Sequence, residues 1–380
     1  MLDLSRRTAF NDEHNLFRDQ VRRFFARELE PHLERWEAQG EIDKDFWRKS
    51  GEAGLLCANV PEAYGGLGLD FGFNAVIAEE LGYAGSSAGI GLHSDIVAPY
   101  IVEYGSEDLK RHWLPRMISG ETPTAIAMTE PGAGSDLQGI KTTAVKDGNH
   151  FVVNGSKTYI TNGQHAELII VVAKTDPSEG AKGTSRILVE ADREGFARGR
   201  NLDKIGLHGQ DTSELFFQDV RVPQTNLLGA EGMGFAYLMN QLPQERLGIA
   251  IGAQASGQRA FDEAVKFTKE RRAFGRTVFE FQNTRFTLAD LAAKLQVGWA
   301  HLDWALARHM AGKLTAAEAS AAKLWHTDLQ WEVCDAALQL HGGAGYMNEY
   351  LIARLWRDAR VTRIFGGTNE IMKEVVARAI

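Results

Sequence analysis

Three glycine-rich segments carry residue types that bind ligands. In Met128-Thr129-Glu130-Pro131-Gly132-Ala133-Gly134-Ser135-Asp136, two glycines stand beside serine and threonine. Such a loop lets its backbone approach a ligand closely and offers N–H groups to an anion, although an ordinary Pro-Gly turn has the same composition. Leu340-His341-Gly342-Gly343-Ala344-Gly345-Tyr346 follows an amphipathic stretch. It either caps a helix or clears space for a flat ligand. In Ile364-Phe365-Gly366-Gly367-Thr368-Asn369-Glu370-Ile371-Met372, Thr368 suits the N-cap of a last helix, whose free N–H groups would meet a polar ligand. A fourth match, Gly85-Ser86-Ser87-Ala88-Gly89, has the GxSxG form of a hydrolase elbow. That elbow requires a preceding strand, and Ile77 to Leu81 reads as helix. No stretch fits GxGxxG, a P-loop or HExxH. The two cysteines, Cys57 and Cys334, are isolated and read as reduced core thiols.

The elements that must carry these loops change texture along the chain. Residues 1–120 read as helical, with Leu16, Val21, Phe24, Phe25 and Leu29 forming an apolar stripe and a loop at Pro61 to Gly68. Residues 121–232 shift to short β-branched runs. Phe151 to Ser156 reads as a strand running into a turn, and Leu168 to Ala173, Ile187 to Val189 and Leu215 to Phe217 as further strands. With no long helix between them, an antiparallel β-domain is expected. Residues 233–380 return to helix, with Leu288 to Met310 and Ala316 to Leu340 long enough for a bundle. The expected fold class is multi-domain α+β, in the order α, β, α.

At 380 residues and 44% hydrophobic, the chain can bury several cores. Its net charge of −8 gives it no overall attraction for nucleic acid. The N-terminus has no signal-peptide run, and no stretch approaches the apolar length of a membrane span. A cytoplasmic protein is expected, or a mitochondrial matrix protein whose transit peptide has been removed.

Together and in order, MTEPGAGSDL (128–137), YITNG (159–163), ERRAFG (270–275), LHGGAGYM (340–347) and FGGTNEIM (365–372) resemble the acyl-CoA dehydrogenase family across essentially the whole chain. QERL (244–247) and GGTNEIMKE (366–374) bring it nearest to the long-chain members. The resemblance implies an N-terminal helical domain, a middle β-domain and a C-terminal four-helix bundle, assembled as a homotetramer. It implies FAD as cofactor, a fatty acyl-CoA as substrate and an electron-transferring flavoprotein as acceptor. By position, Met128, Thr129, Gly134 and Ser135 would line flavin and pyrophosphate, and Tyr159 and Thr161 would pack by the isoalloxazine. Arg271, Phe274, Gln282, Gln339 and Gly343 would hold the adenosine diphosphate of a neighbouring subunit's cofactor, with Thr368 and Glu370 at the start of the last helix.

The implied reaction removes an α-proton from a thioester while hydride leaves the β-carbon, so it needs a base. Many family members carry a glutamate just before the Gly-Thr of the last motif, where this chain has Gly366. The long-chain and isovaleryl branches place the base on a C-terminal helix, and the matching residue is Glu245, among Leu242, Leu247, Ile249 and Ile251. Gly366 would keep a role through its N–H, polarising the thioester carbonyl together with a ribityl hydroxyl. Ser135, Arg246 and Gly367 would line the substrate site. An acyl-CoA oxidase, a nitroalkane-oxidising flavoprotein or a non-catalytic scaffold that kept the fold stay open on sequence.

Overall fold

The computed structural model describes residues 7–380. The first layer is helical: α1 (Asp12–Glu28), α2 (Leu33–Gln39), α3 (Lys44–Glu52), α4 (Phe71–Tyr83), α5 (Ala98–Tyr104) and α6 (Glu107–Ile118). Val21, Phe24, Phe25 and Leu29 of the expected stripe are buried, whereas Leu16 is 71% exposed. Leu16 stands five positions before Val21, about 140° around the helix, and Phe17 packs against the core instead. Helix α4 is apolar nearly all round and accordingly buried, wedged against α1 and the long helix described below. Its two acids are paired: Arg18 reaches Glu79 and Glu80 at 2.8 Å each, and Arg7 also reaches Glu79. Gly85 directly follows this helix in a left-handed conformation, so no strand precedes the GxSxG stretch.

The middle layer is one seven-stranded sheet. Its strands are β1 (Thr124–Ala127), β2 (Thr143–Asp147), β3 (His150–Thr161), β4 (Leu168–Lys174), β5 (Thr184–Glu190), β6 (Phe196–Asn201) and β7 (Thr212–Pro223). The order is β1-β4-β2-β3-β7-β6, with β5 on β4. Pairing is antiparallel at β2–β3, β3–β7, β6–β7 and β4–β5, and β4 adds parallel contacts to β1 and to the start of β2. Asn154-Gly155 is not the expected turn. The strand runs on to Thr161 through two bulges, and the hairpin turns at Gly148. A bulge re-aims side chains without ending the strand.

The C-terminal layer holds α7 (Gly234–Glu270), a small hairpin of β8 (Arg272–Ala273) and β9 (Arg276–Thr277), then α8 (Gln282–Met310), α9 (Ala316–His341), α10 (Leu351–Thr362) and α11 (Asn369–Ala377). Their shared core includes Phe261, Leu291, Leu295, Val333 and Leu355. Cys57 and Cys334 are both buried thiols, and burial pushes both upward in pKa. No described helix is long and apolar enough to cross a membrane.

His93 ties the first layer to the sheet. Its Nε2–H donates to the Met117 carbonyl at 3.0 Å, so Nδ1 accepts from the Thr124 hydroxyl at 2.9 Å. Burial lowers its pKa from 6.5 to about 4. Between those values the unfolded chain binds a proton that the folded one refuses, so stability falls as pH falls through that window. The loss from this residue should be on the order of 3 kcal/mol. Denaturation of wild type and His93→Gln across the window checks this: the wild type should lose stability more steeply, and parallel profiles would refute it.

Candidate active site

Glu245 and Arg246 are consecutive on α7 and both buried, so the helix turns them toward different neighbours. Glu245 faces the first layer and the sheet. The Tyr100 hydroxyl, from α5, donates to its Oε1 at 2.8 Å. Desolvation is the largest influence on the carboxyl and raises its pKa, opposed by that hydrogen bond and by the charges of Arg186 and Arg246. The polypeptide enters α5 through a π-helical turn at Leu92–Val97, where the Asp95 carbonyl accepts from Gln244 at 2.7 Å.

Arg246 faces the other way. Its Nη1 donates to Ser320 of α9 at 3.0 Å, and its Nε lies 3.5 Å from the Gly366 carbonyl. The neighbouring carbonyl, Gly367, accepts from Lys323 at 2.9 Å, and Lys323 also donates to Asn369 at 2.8 Å. Lys323 is fully buried, and desolvation lowers its pKa to about 8. Two cations on α7 and α9 thus fix the loop before α11. Within it Gly366 is left-handed at φ +64, and a Cβ there would meet Ile249 of α7 at 2.4 Å. Thr368 caps α11 as expected, accepting from the Ile371 N–H at 3.3 Å, and Glu370 is exposed beside it. The structure therefore brings Arg246, Gly366, Gly367 and Thr368 together across 120 residues of sequence.

A second assembly lies on the sheet. Lys157, wholly buried in β3, donates to the Met128 carbonyl at 3.0 Å and to Glu130 at 2.9 Å. Glu130 also accepts backbone N–H groups of Lys141 and Thr142. With its inner side clamped, the loop leaves Gly134 and Ser135 exposed, and open space beyond Gly132 and Gly134. The Thr129 carbonyl accepts from Thr158, which places the loop beside Tyr159. Tyr159 sits at a bulge with φ +59 and is 69% exposed. A non-glycine residue at positive φ with its ring in solvent is a costly arrangement that marks a ligand surface. Thr161, half-buried, closes the same strand. Backbone donors beside an exposed aromatic ring fit the diphosphate and flat ring of FAD.

Arg271, Phe274, Gln282, Gln339 and Gly343 gather at the far end of the bundle, all exposed. Arg271 ends α7, Phe274 tips the β8–β9 hairpin and Gln282 begins α8. His341 at the end of α9 stacks on Phe267 of α7 at 4.3 Å, which brings Gln339 and Gly343 to that end too. From Glu245 to Arg271 α7 rises about 40 Å, so within one chain these residues and the buried glutamate cannot share a site.

Sequence reasoning missed Tyr100, Arg186, Lys157, Ser320 and Lys323. The one legible signal was an arginine inside the apolar run of β5, Thr-Ser-Arg-Ile-Leu-Val-Glu. Such a residue reads as solvent-facing until the layers are assembled.

The comparisons agree with this architecture. Profiles of the acyl-CoA dehydrogenase N-terminal, middle and C-terminal domains match residues 11–121, 125–220 and 232–380. The chain is 49% identical to the mitochondrial long-chain specific acyl-CoA dehydrogenase of Sus scrofa, over 100% of this chain and 89% of that one. It superposes on an acyl-CoA dehydrogenase from Geobacillus kaustophilus with a TM-score of 0.97 at 52% identity, covering 98% and 99% of the two chains. It superposes on an FAD-complexed acyl-CoA dehydrogenase from Bacillus anthracis with a TM-score of 0.92 at 34% identity, covering 97% of this chain and 67% of that one. With the family's three domains found in order along the chain and the family's fold reproduced by its layers, the protein belongs to the acyl-CoA dehydrogenases, FAD-dependent oxidoreductases of the CH–CH bond.

Proposed function

We propose that the chain desaturates straight, longer-chain fatty acyl-CoA thioesters to trans-2-enoyl-CoA, with Glu245 as the base. The observation that carries the assignment is the burial of that carboxylate. In apolar surroundings it is a stronger base than in water, and it holds the α-proton it receives. The Gly366 N–H polarises the thioester carbonyl, and the Arg246 and Lys323 contacts to the Gly366 and Gly367 carbonyls keep that N–H in place. FAD, when bound, supplies the hydride acceptor for the β-carbon. Met128, Thr129, Gly134, Ser135, Tyr159 and Thr161 hold its flavin half, with Thr368 and Glu370 near the last helix. Ser135 and Gly367 border the thioester.

Arg271, Phe274, Gln282, Gln339 and Gly343 serve the adenosine half of a neighbouring subunit's cofactor, which makes the enzyme an oligomer, a homotetramer by family resemblance. The acceptor is an electron-transferring flavoprotein, and the compartment is the cytoplasm or a mitochondrial matrix. The three-layer division at 1–120, 121–232 and 233–380 is the domain organisation.

Glu245→Gln should keep FAD and lose anaerobic flavin bleaching by about 10³-fold, because an amide cannot accept the proton. Since only the ionised carboxyl is active, kcat/KM of the wild type should rise with pH through the raised Glu245 pKa. Near-normal bleaching by the variant would sink the base assignment. A graded series of acyl-CoAs tests the substrate, and a kcat/KM maximum at four carbons or at a branched acyl group would refute the chain-length reading.

The shared site has its own test. Glu245→Gln and an Arg271→Ala/Phe274→Ala variant should each be inactive alone. Unfolding and refolding them together should restore activity, since hybrids pair an intact base with an intact adenosine pocket from the other chain. No recovery from well-formed hybrids would place both groups in one subunit's site.

A further inference from the structure

Arg186 is a fully buried cation with no carboxylate in ion-pair contact among the described residues. It stands on β5, and among the described residues its one side-chain hydrogen bond runs from Nη2 to the Gly234 carbonyl at 2.7 Å, Nε and Nη1 finding no partner there. Aromatic faces surround it instead. Its guanidinium carbon lies 4.1 Å from the centroid of the Tyr100 ring, 5.6 Å from Tyr104 and 5.4 Å from Tyr237. Tyr104 and Tyr237 stack on each other at 4.0 Å and close the cage. Burying a guanidinium this way is costly unless a negative charge compensates it.

The compensating charge is one residue away. The ring beneath Arg186 is that of Tyr100, whose hydroxyl donates to Glu245. A cation over the face of a phenol is attracted to the ring and draws electron density from its oxygen. That strengthens the hydrogen bond the phenol donates. Resting on the reading of Glu245 as the base, we propose that Arg186 is a positioning residue for it, acting through the Tyr100 ring to hold the Glu245 carboxylate charged and fixed on one oxygen.

Groups on the other elements around Glu245 are engaged elsewhere. Arg246, on the same helix, is drawn to Ser320 and the Gly366 carbonyl. Lys323 on α9 is held by Gly367 and Asn369. Asp95 on the π-helical turn accepts from Asn74 at 2.5 Å. His309 on α8 pairs with Gln244, and Glu79 and Glu80 on α4 face Arg18. Tyr100 and Arg186, with Arg246 adding its charge from the same helix, oppose the rise that burial imposes on Glu245, and of these only Arg186 acts on it through the Tyr100 ring.

The test is the acid limb of the pH profile of anaerobic flavin bleaching, read as kcat/KM, in Arg186→Met, Arg186→Lys and Tyr100→Phe. Arg186→Met, which removes a nearby opposite charge, and Tyr100→Phe, which removes the hydrogen bond to the carboxylate, should each move that limb up by roughly one pH unit. Arg186→Lys should lie between them and the wild type. Arg186→Met with Tyr100→Phe should shift less than the sum of the two, because one acts through the other. Thermal denaturation supplies a readout independent of turnover: Arg186→Met should cost less stability in a Glu245→Gln background than in the wild type. An unmoved acid limb in folded, FAD-loaded Arg186→Met overturns the proposal. So does an unmoved limb with KM raised selectively for an ω-carboxyacyl-CoA, which would make Arg186 a substrate anchor. If Arg186→Met does not fold, a wild-type limb in Tyr100→Phe overturns it equally. Loss of the base reading itself looks different, because Glu245→Gln would then turn over normally.

Discussion

The hydrogen bond from Tyr100 to Glu245, 2.8 Å long and buried at both ends, joins the helical first layer to the helix that runs the length of the C-terminal layer. A carboxylate without such a partner would be expelled or neutralised there. Its requirement reaches outward in three directions. Arg186 brings the sheet to the site, the Gln244 contact to Asp95 holds the turn before α5, and Arg246 commits the next position to α9 and the loop before α11. All three layers meet at one turn of α7, so the geometry of the Glu245 carboxyl depends on the packing of the layers rather than on any one domain.

The length of α7 divides the labour. In its N-terminal half, the turn at Glu245 and Arg246 is buried beside charges that compensate one another. Its C-terminal end reaches a hairpin carrying Phe274, 96% exposed at φ +50. An isolated chain gains nothing by presenting a strained phenylalanine to water. A second copy covering that end would bury the ring and make a cofactor pocket from two chains. In that arrangement the oligomer is part of the site, because one helix is too long for both of its ends to serve the same ligand.

The sequence made the layers legible because their periodicities differ. Family motifs singled out Glu245, Gly366 and the loops, which the structure places at buried or clamped positions, and cap chemistry made Thr368 legible. Tyr100, Arg186, Lys157 and Lys323 were not, and the reason is physical. A polar residue inside a fold is defined by its partners, and Tyr100 lies 145 positions from Glu245. Lys157 lies 29 positions from the carbonyl it binds. Neither distance leaves a local pattern. Asn154-Gly155 was misread for the converse reason: its local turn signal is strong, but pairing with β7 on the far side overrides it and leaves a bulge.

With Glu245 read as the base, the backbone at Gly366 gives a reason for a base carried on a helix in this chain. That backbone is left-handed, which few side chains tolerate, and a Cβ there would have to displace the terminal methyl of Ile249, one turn along α7 from Glu245. A glutamate on the loop would need that space and a different backbone. With glycine there, the loop packs directly on α7, and its two carbonyls come within reach of Arg246 and Lys323. Those contacts hold the loop whose Gly366 N–H, in the proposed mechanism, would meet the thioester oxygen. On that proposal, a carboxylate on α7 separates two tasks that a loop glutamate would combine. The rigid helix would then position the proton acceptor among compensating charges, and the glycine loop, held by Arg246 and Lys323, would supply the hydrogen bond to the carbonyl.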